Sequence, residues 1–226
     1  MSTSHVGTSY RAALEALAPS ADECLEALRW SVVRDGEFHR REASPESISK
    51  LTGQGAEWGG YAFRQLRLTG FIENSIDAFT WQSFDQARLG SCLDLMSGFE
   101  STAILRSQFI DMSKVRNELD YRRKDLARLA HSQSPLAAVL SLQKLLVTFV
   151  ASIGSAELLA EYVTASRAAI CYAWADRLTA SAVSEIAECI EQMFDLLDAN
   201  QAREAARACS TMRLMPYKEG AEPLEV

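Results

Sequence analysis

The chain has 226 residues, 48% hydrophobic and 23% charged, a balance that permits a packed core and excludes a largely disordered polymer. Its net charge of −7 excludes an electrostatic grip on nucleic acid by the whole surface and leaves room only for a local basic patch. Five scattered cysteines, odd in number and without a CxxC pair, exclude a disulfide framework and fit reduced thiols.

The first residues lack the apolar run of a signal peptide. The longest apolar stretch, Leu145 to Ile153, is broken by Thr148 and Ser152 and is short for a membrane span. A cytoplasmic location without membrane association is expected. Glycines concentrate between Gly53 and Gly70 and thin out after Gly98, so a turn-rich first part gives way to a helical remainder. The expected division is a first domain over 1–84, a second over 85–215, and a loose tail over 216–226.

In chain order, Ala21 to Val33 carries Cys24, Leu25, Leu28 and Val32 at helical spacing, closed by Asp35 and Gly36. Ser44 followed by Pro45 is a helix start, with serine as N-cap and proline at the first helical position. Ile48 and Leu51 give that short helix a buried side. Gly53 and Gly55 make a turn. A third helix over 56–69 places Tyr61, Phe63, Leu66 and Leu68 as apolar positions, and Gly70 stops it. Two short β-rich runs, Phe71 to Glu73 and Ala78 to Trp81, flank a turn at Asn74 and Ser75 and read as a hairpin. Helix, short helix, turn, helix and hairpin is the outline of a winged helix-turn-helix.

From Asp85 onward the spacing predicts helices near 86–109, 112–131, 135–153, 156–177, 181–198 and 201–214. Six helices with short connections make an antiparallel bundle. The expected fold class is therefore mainly α, a winged helix-turn-helix followed by a six-helix bundle.

Several phrases of the chain resemble the GntR superfamily of bacterial regulators. Leu28 to Phe38 (LRWSVVRDGEF) is similar to the opening of that family's DNA-binding domain. Ser44 to Gly53 (SPESISKLTG) is similar to its second helix, and Phe63 to Ile72 (FRQLRLTGFI) to the end of its recognition helix and first wing strand. The second half resembles the FCD effector domain of the FadR branch. Phe99, Glu100, Thr102 and Ala103 match its first-helix phrase. Ala151 to Leu159 (ASIGSAELL) matches an interhelical turn, and Leu196 to Ala206 (LLDANQAREAA) its closing phrase. The resemblance implies a dimeric transcription regulator that binds double-stranded operator DNA and responds to a small-molecule effector such as an organic acid.

Two departures accompany it. The family's recognition helix opens on a serine and two arginines, whose positions fall here on Gly55, Ala56 and Gly60. The FCD metal ligands, an Asp and three His, would fall near Leu142 to Leu146, near Cys189, and near Ser210 to Arg213. The three histidines of this chain, His5, His39 and His131, lie elsewhere, so neither a metal nor another cofactor is expected.

The residues that could meet DNA are Arg64 and Arg67 on the third helix, Lys50 on the second, and Trp58 and Gly60 where the third helix begins. Trp58 has two readings, packing on sugar or wing beside a close approach of backbone to DNA, or a buried tryptophan in a frayed first turn. The first 85 residues carry eight basic and twelve acidic side chains, so a solvated surface without DNA contacts competes with the DNA reading. In the bundle, Glu100, Gln143, Arg167, Tyr172 and Glu188 lie on helices with otherwise apolar inner faces. They could orient a small effector or form ordinary surface pairs. Cys171 and Cys189 read as small core residues. No nucleophile elbow, P-loop, dinucleotide fingerprint or HExxH occurs, so no enzymatic activity is expected. The competing function is a protein-interaction module that keeps this fold with a degenerate DNA-binding surface. A third is a helical ligand-binding or enzymatic domain with a vestigial N-terminus.

Overall fold

A computed structural model describes residues 3–76, 78–132 and 134–213. The expected tail over 216–226 lies outside them. The chain is mainly α, with eleven α-helices and one two-stranded antiparallel hairpin among the described residues. This is compatible with a winged helix-turn-helix followed by a helical domain.

The first helix, α1 (Thr3–Ala16), was not anticipated by the periodicity, because its alanine-rich face carries few large apolar residues. Ala13 and, just beyond it, Leu17 are buried, and the Tyr10 hydroxyl meets Thr148 Oγ1 at 3.0 Å. Although it precedes the winged helix, α1 packs on two later helices, α7 (Pro135–Ser152) and α8 (Ala156–Ala165).

The helix-turn-helix follows in the expected order. Helix α2 (Glu23–Arg34) starts on Asp22, whose carboxylate accepts from the Leu25 N–H at 3.0 Å. Helix α3 (Pro45–Thr52) starts on Ser44 with a reciprocal capping box. Ser44 Oγ accepts from the Ser47 N–H (3.1 Å), and Ser47 Oγ accepts from the Ser44 N–H (2.9 Å). Gly53 closes it in the left-handed region, at φ 69°. Helix α4 (Ala56–Thr69) packs on α3 and ends at Gly70, φ 86°, where the Phe71 N–H returns to the Leu66 carbonyl at 2.8 Å.

Strands β1 (Ile72–Asn74) and β2 (Phe79–Trp81) pair with Ile72 opposite Trp81 and Asn74 opposite Phe79. On its other edge β2 meets the segment before α3, where the Ala43 N–H donates to the Phe79 carbonyl at 2.9 Å. That third short run makes the hairpin a wing anchored to the helix pair.

The remainder is helical: α5 (Gln86–Ser107), α6 (Arg116–Ala130), α7, α8, α9 (Ala168–Arg177), α10 (Ala180–Asp198) and α11 (Ala202–Arg213). The expected helix over 156–177 is two helices. The chain leaves α8 at Ser166 and re-enters at Arg167 in an extended conformation, φ −61° and ψ 155°. This corrects the six-helix count to seven among the described residues. The break contains neither glycine nor proline.

Helix α7 also corrects the reading of its apolar run. Its 18 residues, mean hydropathy 1.6, are long and apolar enough to cross a bilayer by length and composition. It is instead the centre of the bundle: 67% of it is buried, packed by α1, α5, α6, α8, α9 and α10. Buried apolar side chains form one continuous cluster from α1 to α11, so the elements before α5 and the later helices share a core.

Candidate functional site

The exposed stripe of α4 is set by helical spacing. Glu57, Tyr61, Arg64, Arg67 and Leu68 face out, while Ala62, Phe63, Leu66 and Thr69 are buried. Arg64 is exposed. Arg67 is also exposed, but its guanidinium lies over the Phe79 ring of the wing, 4.3 Å from the centroid, and 5.7 Å from that of Phe63. Lys50 is exposed on α3. These three cations share the helix-turn-helix surface.

The second half of α4 is not isolated from the bundle. Arg64, Arg67 and Leu68 line a groove of about 790 Å³ whose far wall is Thr164, Ala165 and Arg167, with Arg88 and Cys92 of α5. Gly70 lies directly against Arg167. A Cβ built there would stand 2.7 Å from Arg167 Cδ.

Trp58 turns away from the exposed stripe. Its indole Nε1 donates to Asp22 Oδ2 at 2.7 Å, joining the first turn of α4 to the start of α2. Trp58 is half-buried, and the first turn it anchors is helical. The two adjacent glycines differ. A Cβ on Gly59 would fall 2.1 Å from Ser49 Oγ and 2.5 Å from the Pro45 carbonyl oxygen. Gly59 thus serves the close approach of α3 and α4, not of DNA. Around Gly60 only Arg64 Nη1 comes within reach, at 3.8 Å.

In the bundle, two of the five expected effector residues come together. Glu100 on α5 and Gln143 on α7 are buried with Tyr162 and Arg213. Arg213 Nη2 donates to Glu100 Oε1, and its Nε donates to Oε2 at 3.2 Å, a bidentate pair with both side chains 1% exposed. Tyr162 donates to Glu100 Oε1 (2.6 Å) and accepts from Gln143 Nε2 (2.8 Å). Gln143 Oε1 accepts from Arg213 Nη2 (3.2 Å). Arg213 also stacks over Trp174, 4.8 Å from the ring centroid.

Burial opposes the charge on Arg213, but the Glu100 carboxylate outweighs it and holds the guanidinium above its ordinary value. Burial, with Glu100 alongside, keeps the Tyr162 hydroxyl and the Cys209 thiol protonated well above their usual ranges. Burial pushes the Cys171 thiol up to about 12, and that of Cys189 up in the same direction. None of these thiols is poised as a nucleophile.

Tyr162 and Arg213 were missed by sequence reasoning. Arg213 carried a signal: it falls in phase with the buried stripe Ala202, Ala205, Ala206, Cys209 and Met212 of α11.

The other three expected effector residues lie elsewhere. Glu188 is exposed on α10. Arg167 is exposed at the α8–α9 break. Tyr172 is buried where α9 meets the winged helix. Its hydroxyl donates to Glu26 and accepts from Arg29 Nη1 at 3.4 Å, and its ring meets Phe71 edge-on at 5.4 Å. Arg34 and Asp176 add an ion pair at 2.8 Å across the same junction, and Arg177 donates to the Phe84 carbonyl. Tyr172 is a docking residue, and it rests on Glu26 and Arg29, which the sequence did not single out. Among the described residues no cluster of three His, Cys, Asp or Glu side chains could hold a metal ion.

No family model matches the chain, and no curated protein does. The GntR resemblance therefore stands on the quoted phrases alone. Among solved structures the chain is similar to Lar, which controls the expression of the Listeria monocytogenes agr system and mediates virulence. The match has a TM-score of 0.66 and covers 87% of this chain and 94% of that one. At 12% identity the likeness is one of fold, and it extends over most of both chains.

Proposed function

We propose that the chain is a ligand-responsive transcription regulator that binds operator DNA as a dimer through α4. The observation that carries this is the exposed cationic stripe, Arg64 and Arg67 on the second helix of a helix-turn-helix, joined by Lys50 and flanked by the wing. The fold shared with Lar, which controls expression of the agr system, supports it. Charged groups confined to one face reconcile DNA contact with an acidic chain. Arginine forks suit guanine edges and phosphates, whereas Lys50 suits phosphate alone. Two copies related by a two-fold axis would place two α4 helices on half-sites about one helical turn apart.

Fluorescence anisotropy with fragments from the upstream region of the gene tests this. A salt-dependent complex is expected. Arg64→Ala with Arg67→Ala should weaken it at least tenfold and flatten the salt slope by roughly one per arginine lost. No sequence-preferring complex in low salt, with or without candidate effectors, defeats the reading.

One observation favours a second reading. The C-terminal half of α4 faces a groove walled by α8 and α9, a space a duplex does not enter in this arrangement. If operator binding never appears, the exposed stripe is a protein-interaction surface. The same arginine pair would then matter to partner capture and not to DNA.

A further inference from the structure

We infer that the cleft between α1, α4 and the α8–α9 break is the binding site of a small carboxylic acid with an apolar body. The cleft encloses about 680 Å³, within the range of small-molecule sites. Its apolar walls include Ala13 and Leu17 beside Val147, Val163 and Leu68.

Three buried polar side chains line it, Arg29, Thr69 and Ser166, each 3% exposed, and Thr69 donates to the Gln65 carbonyl at 2.7 Å. Arg29 spends Nη1 on Glu26 and Tyr172, but its Nε has no hydrogen-bond partner, and neither does Ser166 Oγ. Folded proteins seldom leave buried polar atoms idle, and two lining one cleft point to an occupant that pairs with them.

The exposed Arg167 guanidinium lines the same space. Helix α9 begins there without a capping side chain, and Ala168, its first residue, is also in the lining. An uncapped helix N-terminus offers free N–H donors to an anion. Glu15 of α1 is the carboxylate in the lining. Two guanidinium groups, a hydroxyl and a helix N-terminus against one acid select a negative head group. The alanine, leucine and valine walls select its apolar body.

The position gives the site its consequence, which rests on the DNA-binding reading. Tyr61, Gln65, Leu68 and Thr69 of α4 form one wall. An acid seated there touches the DNA-reading helix and the bundle at once, and its affinity differs between arrangements that open or close the cleft. The Glu100–Arg213 network also leaves Arg213 Nη1 without a partner, but it lines neither this cleft nor the groove beside Arg64.

The test uses the full chain without DNA, with isothermal titration calorimetry and thermal melts. Benzoate and octanoate are the probes. Benzyl alcohol, octanol and inorganic phosphate are the comparators. At least one carboxylate should bind at millimolar concentration or better and raise the Tm, while the comparators do not. Arg167→Ala should weaken that binding about tenfold, and Ser166→Ala about threefold. Glu188→Ala, outside the cleft lining, should leave it unchanged. If Arg167→Ala does not fold, as judged by circular dichroism, the Ser166→Ala result decides. No binding by either carboxylate, equal binding by the alcohols or phosphate, or affinity indifferent to these cleft variants overturns the assignment. Operator affinity is then measured with the bound acid. An unchanged value leaves the site standing and defeats only its regulatory consequence.

Discussion

Gly59 and Gly60 stand next to each other at the start of a helix, where composition treats them alike. Each weakens a helix by about 1 kcal/mol relative to alanine through backbone entropy. The packing around them has opposite signs. A methyl group on Gly59 would collide with the Pro45 carbonyl, a backbone atom that cannot swing away. Gly59→Ala is expected to push α3 and α4 apart and to lower stability by about 2–3 kcal/mol in urea titrations. Gly60→Ala meets only the flexible end of Arg64 and is expected to raise stability by as much as ~1 kcal/mol. Equal effects of the two substitutions would show that the helix pair is looser than the geometry implies. The Glu100–Arg213 pair follows the same logic of context. Its charges are desolvated, yet each is held by a fork of hydrogen bonds that removing one partner would leave uncompensated.

The elements divide by how local their causes are. Helix α3 was legible because a serine cap, a proline and a left-handed glycine are written in consecutive positions. The hairpin and the end of α4 were legible for the same reason. Helix α1 was not, because among its described side chains only Ala13 is fully buried, with Leu17 just beyond its end, and Thr148 and the faces of α7 and α8 meet it. The break at Ser166 and Arg167 was not legible either. At the break Arg167 lies against Gly70, a residue about a hundred positions away in sequence. For the site, Lys50, Arg64 and Arg67 were readable from spacing, whereas the role of Trp58 was not, since its partner belongs to another helix. That partner makes the junction of α2 and α4 sensitive to acid. The Trp58 hydrogen bond first, then the Leu25 N–H, hold the Asp22 carboxyl below its ordinary value. A depressed folded-state value stabilises above the unfolded-state pKa of about 3.9, and that contribution disappears as pH falls through the folded value. Trp58→Phe is therefore expected to lower the urea midpoint at about pH 7 and to narrow its gap from the parent at about pH 3. Asp22 is solvent-accessible, so the pH-dependent part is small. A gap that widens in acid would contradict the assignment.

At the scale of the molecule, the elements before α5 are docked on the later helices and not tethered to them. Tyr172, Phe71, Arg34 and Asp176 knit α9 to the first elements, and the buried core runs through the junction. A ligand acting at that junction, as proposed, would move two packed bodies and not a linker, so its effect would depend on what holds each bundle in place. The exposed face of α5 suggests the means. Leu95 (54% exposed) and Leu105 on α5, with Phe109 (82%) just beyond its end, follow one side of the helix through Gly98 and Thr102. Large apolar side chains repeated along one exposed stripe are a common mark of association. A second copy is the occupant that the proposed dimeric regulator would require, since two α4 helices would have to be presented together. Leu95→Glu with Phe109→Glu would bury charge in that contact. The pair is expected to shift a dimer to a monomer in light scattering while leaving the helical circular dichroism unchanged, because neither side chain belongs to the core. Operator affinity should fall with it, as each half-site contact becomes independent. A parent chain that is monomeric at high concentration, or a variant that stays dimeric, would place any self-association on another face.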